Sequence, residues 1–216
     1  MAAQWTNPPK LRVIMPDVNI SGRRPARQLP PEILTDAGVR ALMDECSRHS
    51  PTGIRNRALI AFLYRTGLRI NEALGVFPKD LNLVDGTLCV LQGKGGRSRT
   101  VGIDPGGAVI VRPWLDARHR LGLTGLHPVF CTVQGEPLSD SYIRVLLKRL
   151  AANARIEKRV HAHGLRHTHA AQLRAEGVDI GIISRHLGHS SIATTVRYLD
   201  HISPTTVIKV IQQRAW

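Results

Sequence analysis

Residues 160–202 read VHAHGLRHTHAAQLRAEGVDIGIISRHLGHSSIATTVRYLDHI, and this stretch carries more potential chemistry than the rest of the chain together. His163 and Arg166 stand three apart, with Ala170, Ala171 and Leu173 following at helical spacing. Both polar side chains are therefore expected on one helix face. Gly177 and Gly188 punctuate two helices, since glycine readily takes the left-handed conformation that ends a helix. His189 follows the second stop, and Tyr198 lies nine residues beyond it, behind Ala193, Thr194 and Thr195.

Working outward, the chain has 216 residues, enough for one large domain with a substantial core but cramped for two. Thirty Lys and Arg against sixteen Asp and Glu give a formal charge of +14, which points to a polyanionic partner, nucleic acid first. Twenty-four of these cations are Arg, whose planar fork matches phosphate oxygens better than the point charge of Lys. Three cysteines, Cys46, Cys89 and Cys131, form no short pair and argue against a disulfide framework or a cysteine zinc site. The longest apolar run, 58–64, is far short of the roughly twenty residues that span a bilayer. A soluble protein of the cytoplasm, associated with the nucleoid, is the expectation.

The coarse reading is mainly α with a small antiparallel β-sheet, an α+β class. Residues 1–28 hold prolines and cations without a helical period and read as an extended basic arm. Arg23, Arg24 and Arg27 would there meet DNA phosphates, or the segment is a disordered leader. Residues 29–216 form the folded domain. Thr35 or Asp36 caps a helix bearing Val39, Leu42 and Met43; a second helix runs from Ile54 to Arg65, its segment Ala58 to Leu63 the most buried of the chain. Gly67 breaks it and Arg69 opens the next helix, where free amides already favour an anion. Strands at 81–83, 87–91 and 99–103 follow, then a helix around Ala108 to Leu121 with Trp114 and Leu115 buried. A short buried strand is expected at Val129 to Thr132. Ser139 caps a helix to Ala154 with Tyr142, Val145, Leu146 and Leu150 inward, leaving Arg144, Lys148 and Arg149 on a solvated or DNA-facing side.

Two upstream elements join the central stretch. The run ALIAFLYRTGLRINEAL, 58–74, contains Arg69 and Glu72 in a T-G-L-R-x-x-E box; LQGKGGRSRTVGI, 91–103, places Lys94 in a glycine-rich turn. Lys94 does not complete a phosphate-binding P-loop, because Gly95 and Leu88 occupy the required Ser/Thr and Gly positions. With H-x-L-R-H, L-G-H and T-T-x-x-Y, these boxes in this order resemble the catalytic domain of the tyrosine recombinases, the phage integrase family. The resemblance covers residues from Leu29 to the C-terminus. It implies that family's catalytic-domain fold. It also implies a catalytic set of Arg69, Lys94, His163, Arg166, His189 and Tyr198, with Glu72 and His167 supporting.

The implied chemistry is transesterification of a DNA phosphodiester. Tyr198 would attack phosphorus, Arg69 and Arg166 with His189 would stabilise the non-bridging oxygens, His163 would act as general base and Lys94 as general acid. The product is a 3′-phosphotyrosyl intermediate, formed without ATP, metal or another cofactor. Seven of ten histidines lie between His161 and His201, but H-E-x-x-H is absent, with Gly164 at the glutamate place. His161, His169, His186 and His201 read as packing or supporting residues. Site-specific recombination on double-stranded DNA, by a homo-tetramer and with a possible helper protein, is the leading reading. Alternatives are supercoil relaxation in the manner of type IB topoisomerases, and a DNA-binding regulator that does not cut. An arm of this length is too short for the family's N-terminal core-binding domain, which places strand cleavage ahead of complete recombination.

Overall fold

The computed structural model describes residues 32–91, 98–189, 191, 195, 196 and 212. Its helices are α1 (Asp36–Asp44), α2 (Pro51–Thr66), α3 (Ile70–Leu74), α4 (Pro105–Arg120), α5 (Asp140–Asn153), α6 (Ala162–Ala175) and α7 (Ile180–Leu187). Strands β1 (Leu81–Asn82), β2 (Thr87–Val90) and β3 (Arg99–Gly102) make one antiparallel sheet in that order. The mainly helical α+β reading therefore holds. No helix among the described residues is long and apolar enough to cross a membrane.

Helix α2 is the hub. Seven consecutive side chains, Ala58 to Tyr64, are buried, so no face of the helix is left to water in this segment. Helices α1, α4 and α6 cover it. It starts at Pro51 rather than Ile54 because the Ser50 hydroxyl accepts from Gly53 N at 3.2 Å and proline suits a first turn. On the far side Phe62 meets Phe130 at a 5.1 Å centroid distance, and fully buried Trp114 donates its indole N–H to Val129 O at 2.7 Å. Helix α4 likewise begins earlier than expected, at Pro105, with Asp104 accepting from Gly107 N.

In the sheet, Leu88 and Val90 alternate inward and Leu88 lies opposite buried Val101. Two expectations are corrected. Residues 129–131 are fully buried, but they form no strand beyond an isolated bridge from Cys131 to Pro137. Their backbone groups are taken singly instead: Val129 N by Val76 O, Val129 O by Trp114 and Cys131 O by Arg55. In α5 the buried stripe is Ile143, Leu146, Leu147, Leu150 and Ala151, whereas Tyr142 and Val145 are exposed. Tyr142 stays at the rim because its hydroxyl accepts from Arg55 Nη2 at 2.7 Å.

Candidate active site

Two glycine stops create the site. Gly67 ends α2 at φ 63°, and a Cβ there would stand 2.5 Å from His169 Cδ2; Gly188 ends α7 at φ 66°. Both positions require the left-handed conformation that glycine adopts without penalty. Carbonyls at both stops accept from arginines of the site: Gly67 O and Leu187 O from Arg166, and Gly188 O from Arg69. Arg69 follows the first stop and His189 the second.

Between the stops lies Glu72, only 6% exposed at its side chain. Its carboxylate accepts from Arg69 N at 3.0 Å and Arg69 Nη1 at 2.9 Å. It also accepts from Arg99 Nη1 at 3.1 Å and Arg99 Nη2 at 2.8 Å, and lies 4.0 Å from Arg166 Nη1. Burial opposes its ionisation, but the hydrogen bonds from Arg99 and Arg69 outweigh that and hold its pKa below the usual carboxylate value. Glu72 thus ties down guanidiniums without cancelling them: among the described residues three cations share one anion, a local surplus of two positive charges. The amide of Arg69 is occupied by Glu72, so the anion affinity expected of a helix start resides here in side chains rather than in α3.

Arg166 is 1% exposed, and a charge so deep needs full compensation. Its Nη1 donates to Gly67 O at 2.7 Å and its Nη2 to Leu187 O at 2.6 Å, joining the ends of α2 and α7 through one side chain. Arg69 is more open, 31% exposed at its side chain, and donates its Nη2 to Gly188 O at 3.1 Å. A groove of about 790 Å³ opens beside it, with Arg69, Glu72 and His163 among its walls and Val76, Phe77 and Val90 as apolar lining.

Three imidazoles complete the cluster. His163 and His167 sit one helical turn apart on α6 with ring centroids at 4.4 Å. His163 is exposed to the groove, yet desolvation of its ring on the protein side, then the charges of Arg166, His161 and Arg69, push it down to about 4. His167 is lowered to about 3 by burial and then by its histidine neighbours. His189, whose Nδ1 lies 2.7 Å from Thr195 Oγ1, falls to about 4 through burial and the Arg166 and Arg69 charges. All three are neutral at pH 7. A neutral ring offers one acceptor nitrogen and one donor, the capability a general base or a hydrogen-bonding partner of an anion needs. His161 caps α6 by accepting from Gly164 N and stacks at the edge of this cluster, 6.5 Å from the His163 ring, whereas His169 pairs with His186 at 3.1 Å outside it.

Of the residues singled out from sequence, Arg69, Glu72, His163, Arg166, His167 and His189 come together. Lys94 and Tyr198 lie outside the described residues, as do Arg23, Arg24, Arg27 and His201. Arg144, Lys148 and Arg149 are exposed on α5. Arg144 pairs with Asp140 at 2.7 Å and shares a small cleft with His161, His163 and Ile70, whereas the charge of Arg149 reaches Cys46 on the α1 side. The sequence reading missed Arg99. Its signal was a cation opening a strand whose other inward residues are apolar, which reads as an edge charge until Glu72 is seen opposite.

The Phage integrase family matches residues 32–203. Tyrosine recombinase XerD of Halalkalibacterium halodurans is 33% identical over 192 residues, 88% of this chain and 63% of that protein. Among solved structures, XerA recombinase aligns at TM-score 0.74 and 26% identity over 87% of this chain and 67% of its own. XerH site-specific recombinase, in a post-cleavage complex with palindromic difH substrate, aligns at 0.68 and 27% over 85% and 53%. The chain spans about three fifths of the length of the curated relatives that it matches, 63% and 58% for the first two.

Proposed function

The chain belongs to the phage integrase family of tyrosine recombinases, and we propose that it breaks and rejoins double-stranded DNA by site-specific recombination. The observation that carries this reading is the surplus of two positive charges around buried Glu72, flanked by neutral imidazoles and open to a groove. A phosphodiester under attack accumulates negative charge on its equatorial oxygens, and cations held beforehand at fixed positions lower that barrier without reorganising. Arg69 meets the anion from the groove, Arg166 supplies charge from the floor, and His189 donates a hydrogen bond to a non-bridging oxygen.

The phenol oxygen of Tyr198 attacks phosphorus and the P–O5′ bond breaks, leaving a 3′-phosphotyrosyl linkage and a 5′-hydroxyl. The phenolic proton goes to neutral His163, and Lys94 protonates the departing 5′-oxygen. A second 5′-hydroxyl then attacks the same phosphorus and expels Tyr198, so the ester energy is conserved and neither ATP nor a metal takes part. His167 packs against His163 and keeps its ring oriented. The domain of residues 29–216 performs this step; the basic arm of 1–28, with Arg23, Arg24 and Arg27, and the α5 cations Arg144, Lys148 and Arg149 hold the DNA backbone. A homo-tetramer on DNA, aided where needed by a helper protein, would bring two sites together in the cytoplasm at the nucleoid.

The test is covalent trapping. The full chain is incubated with a pool of nicked duplexes randomised around the nick, and protein joined to DNA is read on a denaturing gel. Wild-type protein is expected to give an adduct that Tyr198→Phe abolishes while DNA binding persists. Binding by wild type without an adduct would instead establish a non-cutting regulator; adducts coupled to relaxation of a supercoiled plasmid without strand exchange would establish a topoisomerase.

A further inference from the structure

Arg99 opens β3 and reaches the site from the sheet, which carries none of the clustered residues singled out from sequence. Its side chain is 13% exposed, against 31% for Arg69. The guanidinium donates from three atoms to three acceptor atoms on two residues: Nη1 and Nη2 to the two oxygens of Glu72, and Nε to His186 O at 3.0 Å. It also lies flat against Gly188, where an added Cβ would stand 2.9 Å from Arg99 Cζ. Glycine at 188 is thus needed twice, for its positive φ and for this approach.

Among the described residues, two groups hold the Arg69 guanidinium in place, Glu72 Oε1 and Gly188 O. Arg99 touches both of the residues that supply them. It bonds the Glu72 carboxylate in a fork and braces the α7 terminus, through His186 O, against the turn that carries Gly188 and then His189. We propose that Arg99 is a positioning residue of this site: it fixes the guanidinium of Arg69, and the turn before His189, through the two residues that anchor Arg69. The inference rests on the transesterification reading for its catalytic consequence and on geometry alone for its structural one.

The residue type follows from the geometry. A lysine could place a charge on one Glu72 oxygen, but it cannot fork across both and meet a third acceptor at an angle. Without Arg99, the cations left on the carboxylate among the described residues are Arg69 and Arg166. Arg69 is then drawn toward Glu72, and the charge acting on a bound phosphate falls from a surplus of two to one. Direct phosphate binding by Arg99 would be a different role, and its engaged donors and burial behind Glu72 argue for support instead.

The experiment compares the full-length wild type with Arg99→Gln and Arg99→Lys in two readouts. The first is single-turnover adduct formation on the duplex selected by the wild type, with DNA half-saturation measured alongside. Arg99→Gln is expected to slow the covalent step at saturating DNA by tenfold or more with half-saturation within about twofold of wild type, and Arg99→Lys to fall between. A rate within twofold of wild type overturns the proposal; so does weakened DNA binding with an unchanged saturated rate, the mark of a phosphate ligand. The second readout needs no activity: the two Nη signals of Arg69 in ¹⁵N spectra, held apart by its fixed acceptors, are expected to average in Arg99→Gln. Signals that stay resolved overturn the proposal. If wild type forms no adduct, the transesterification reading fails and the Arg69 spectra alone decide the role of Arg99. If Arg99→Gln does not fold, Arg99→Lys is read against the same criteria.

Discussion

Removing the charge of Glu72 while keeping its shape tests the electrostatic account most sharply. In Glu72→Gln the two carboxylate oxygens, which accept four hydrogen bonds from Arg69 and Arg99, become one carbonyl oxygen and one amide donor. The amide N–H₂ then faces guanidinium donors, and three cations remain with no anion. Removing one partner of a buried ion pair costs about 3–5 kcal/mol, because the other charge is left uncompensated. For a chain of this size each kcal/mol moves Tm by roughly 2–4 °C, so a fall of about 6–20 °C is expected in low-salt buffer at pH 7.5. The pH dependence has a definite sign. The folded pKa of Glu72 lies below its unfolded value of about 4.3, so its stabilisation is complete above that value and is lost as pH falls through the folded pKa. The Tm gap between wild type and variant should therefore be constant from pH 6 to 8 and close in acid. Sulfate or phosphate should also narrow it by supplying the missing anion. A variant melting within about 2 °C of wild type at neutral pH and low salt would refute the reasoning.

Three further outcomes are expected from the same geometry. His169, lowered to about 3 by burial and then by His186, binds no proton in the native state until well below the unfolded histidine value of about 6.5. Stability should thus decline as pH falls from 6.5 toward 3, and His169→Gln, lacking this titration, should show a shallower slope in Tm against pH. Gly67→Ala places a Cβ at φ 63° and against His169 and Leu187, costing about 1–2 kcal/mol for the backbone and a further 1–3 for overpacking. Chemical denaturation should register a loss in that range, whereas Gly122→Ala, with φ 72° and open space, should register only the backbone part. Finally, a phosphodiester seated between Arg69 and Arg166 neutralises charges that depress His163 and His189, so both imidazole pKa values, about 4 in the free protein, should rise on DNA binding. Imidazole ¹H–¹³C titration with and without duplex measures this, and values unmoved or lowered by DNA would contradict the placement of the anion.

The elements whose formation is local were legible in the chain itself. Seven apolar residues from Ala58 to Tyr64 announced a helix buried on every side, Gly67 and Gly188 announced the stops, and the 163/166 spacing put His163 and Arg166 on α6. Ordered boxes around Arg69, Arg166 and His189 were enough to anticipate that these would meet. Misreadings occurred where several remote partners set the outcome. Residues 129–131 have the composition of a strand, yet Val76, Trp114 and Arg55 claim their backbone groups one by one. Tyr142 fits a helical stripe but answers to Arg55 across the fold.

Arg99 is the clearest case of the second kind. Twenty-seven residues separate it from Glu72, and no local period marks it. Its role exists only because the register of β2 with β3 brings its first residue beside α3 and the end of α7. Propensity and patterning act over a few residues and specify helices, stops and which faces turn inward. Which carboxylate restrains which guanidinium, and how much charge is left over for a phosphate, depends on distances between segments far apart in the chain, and those are fixed only when the whole core closes.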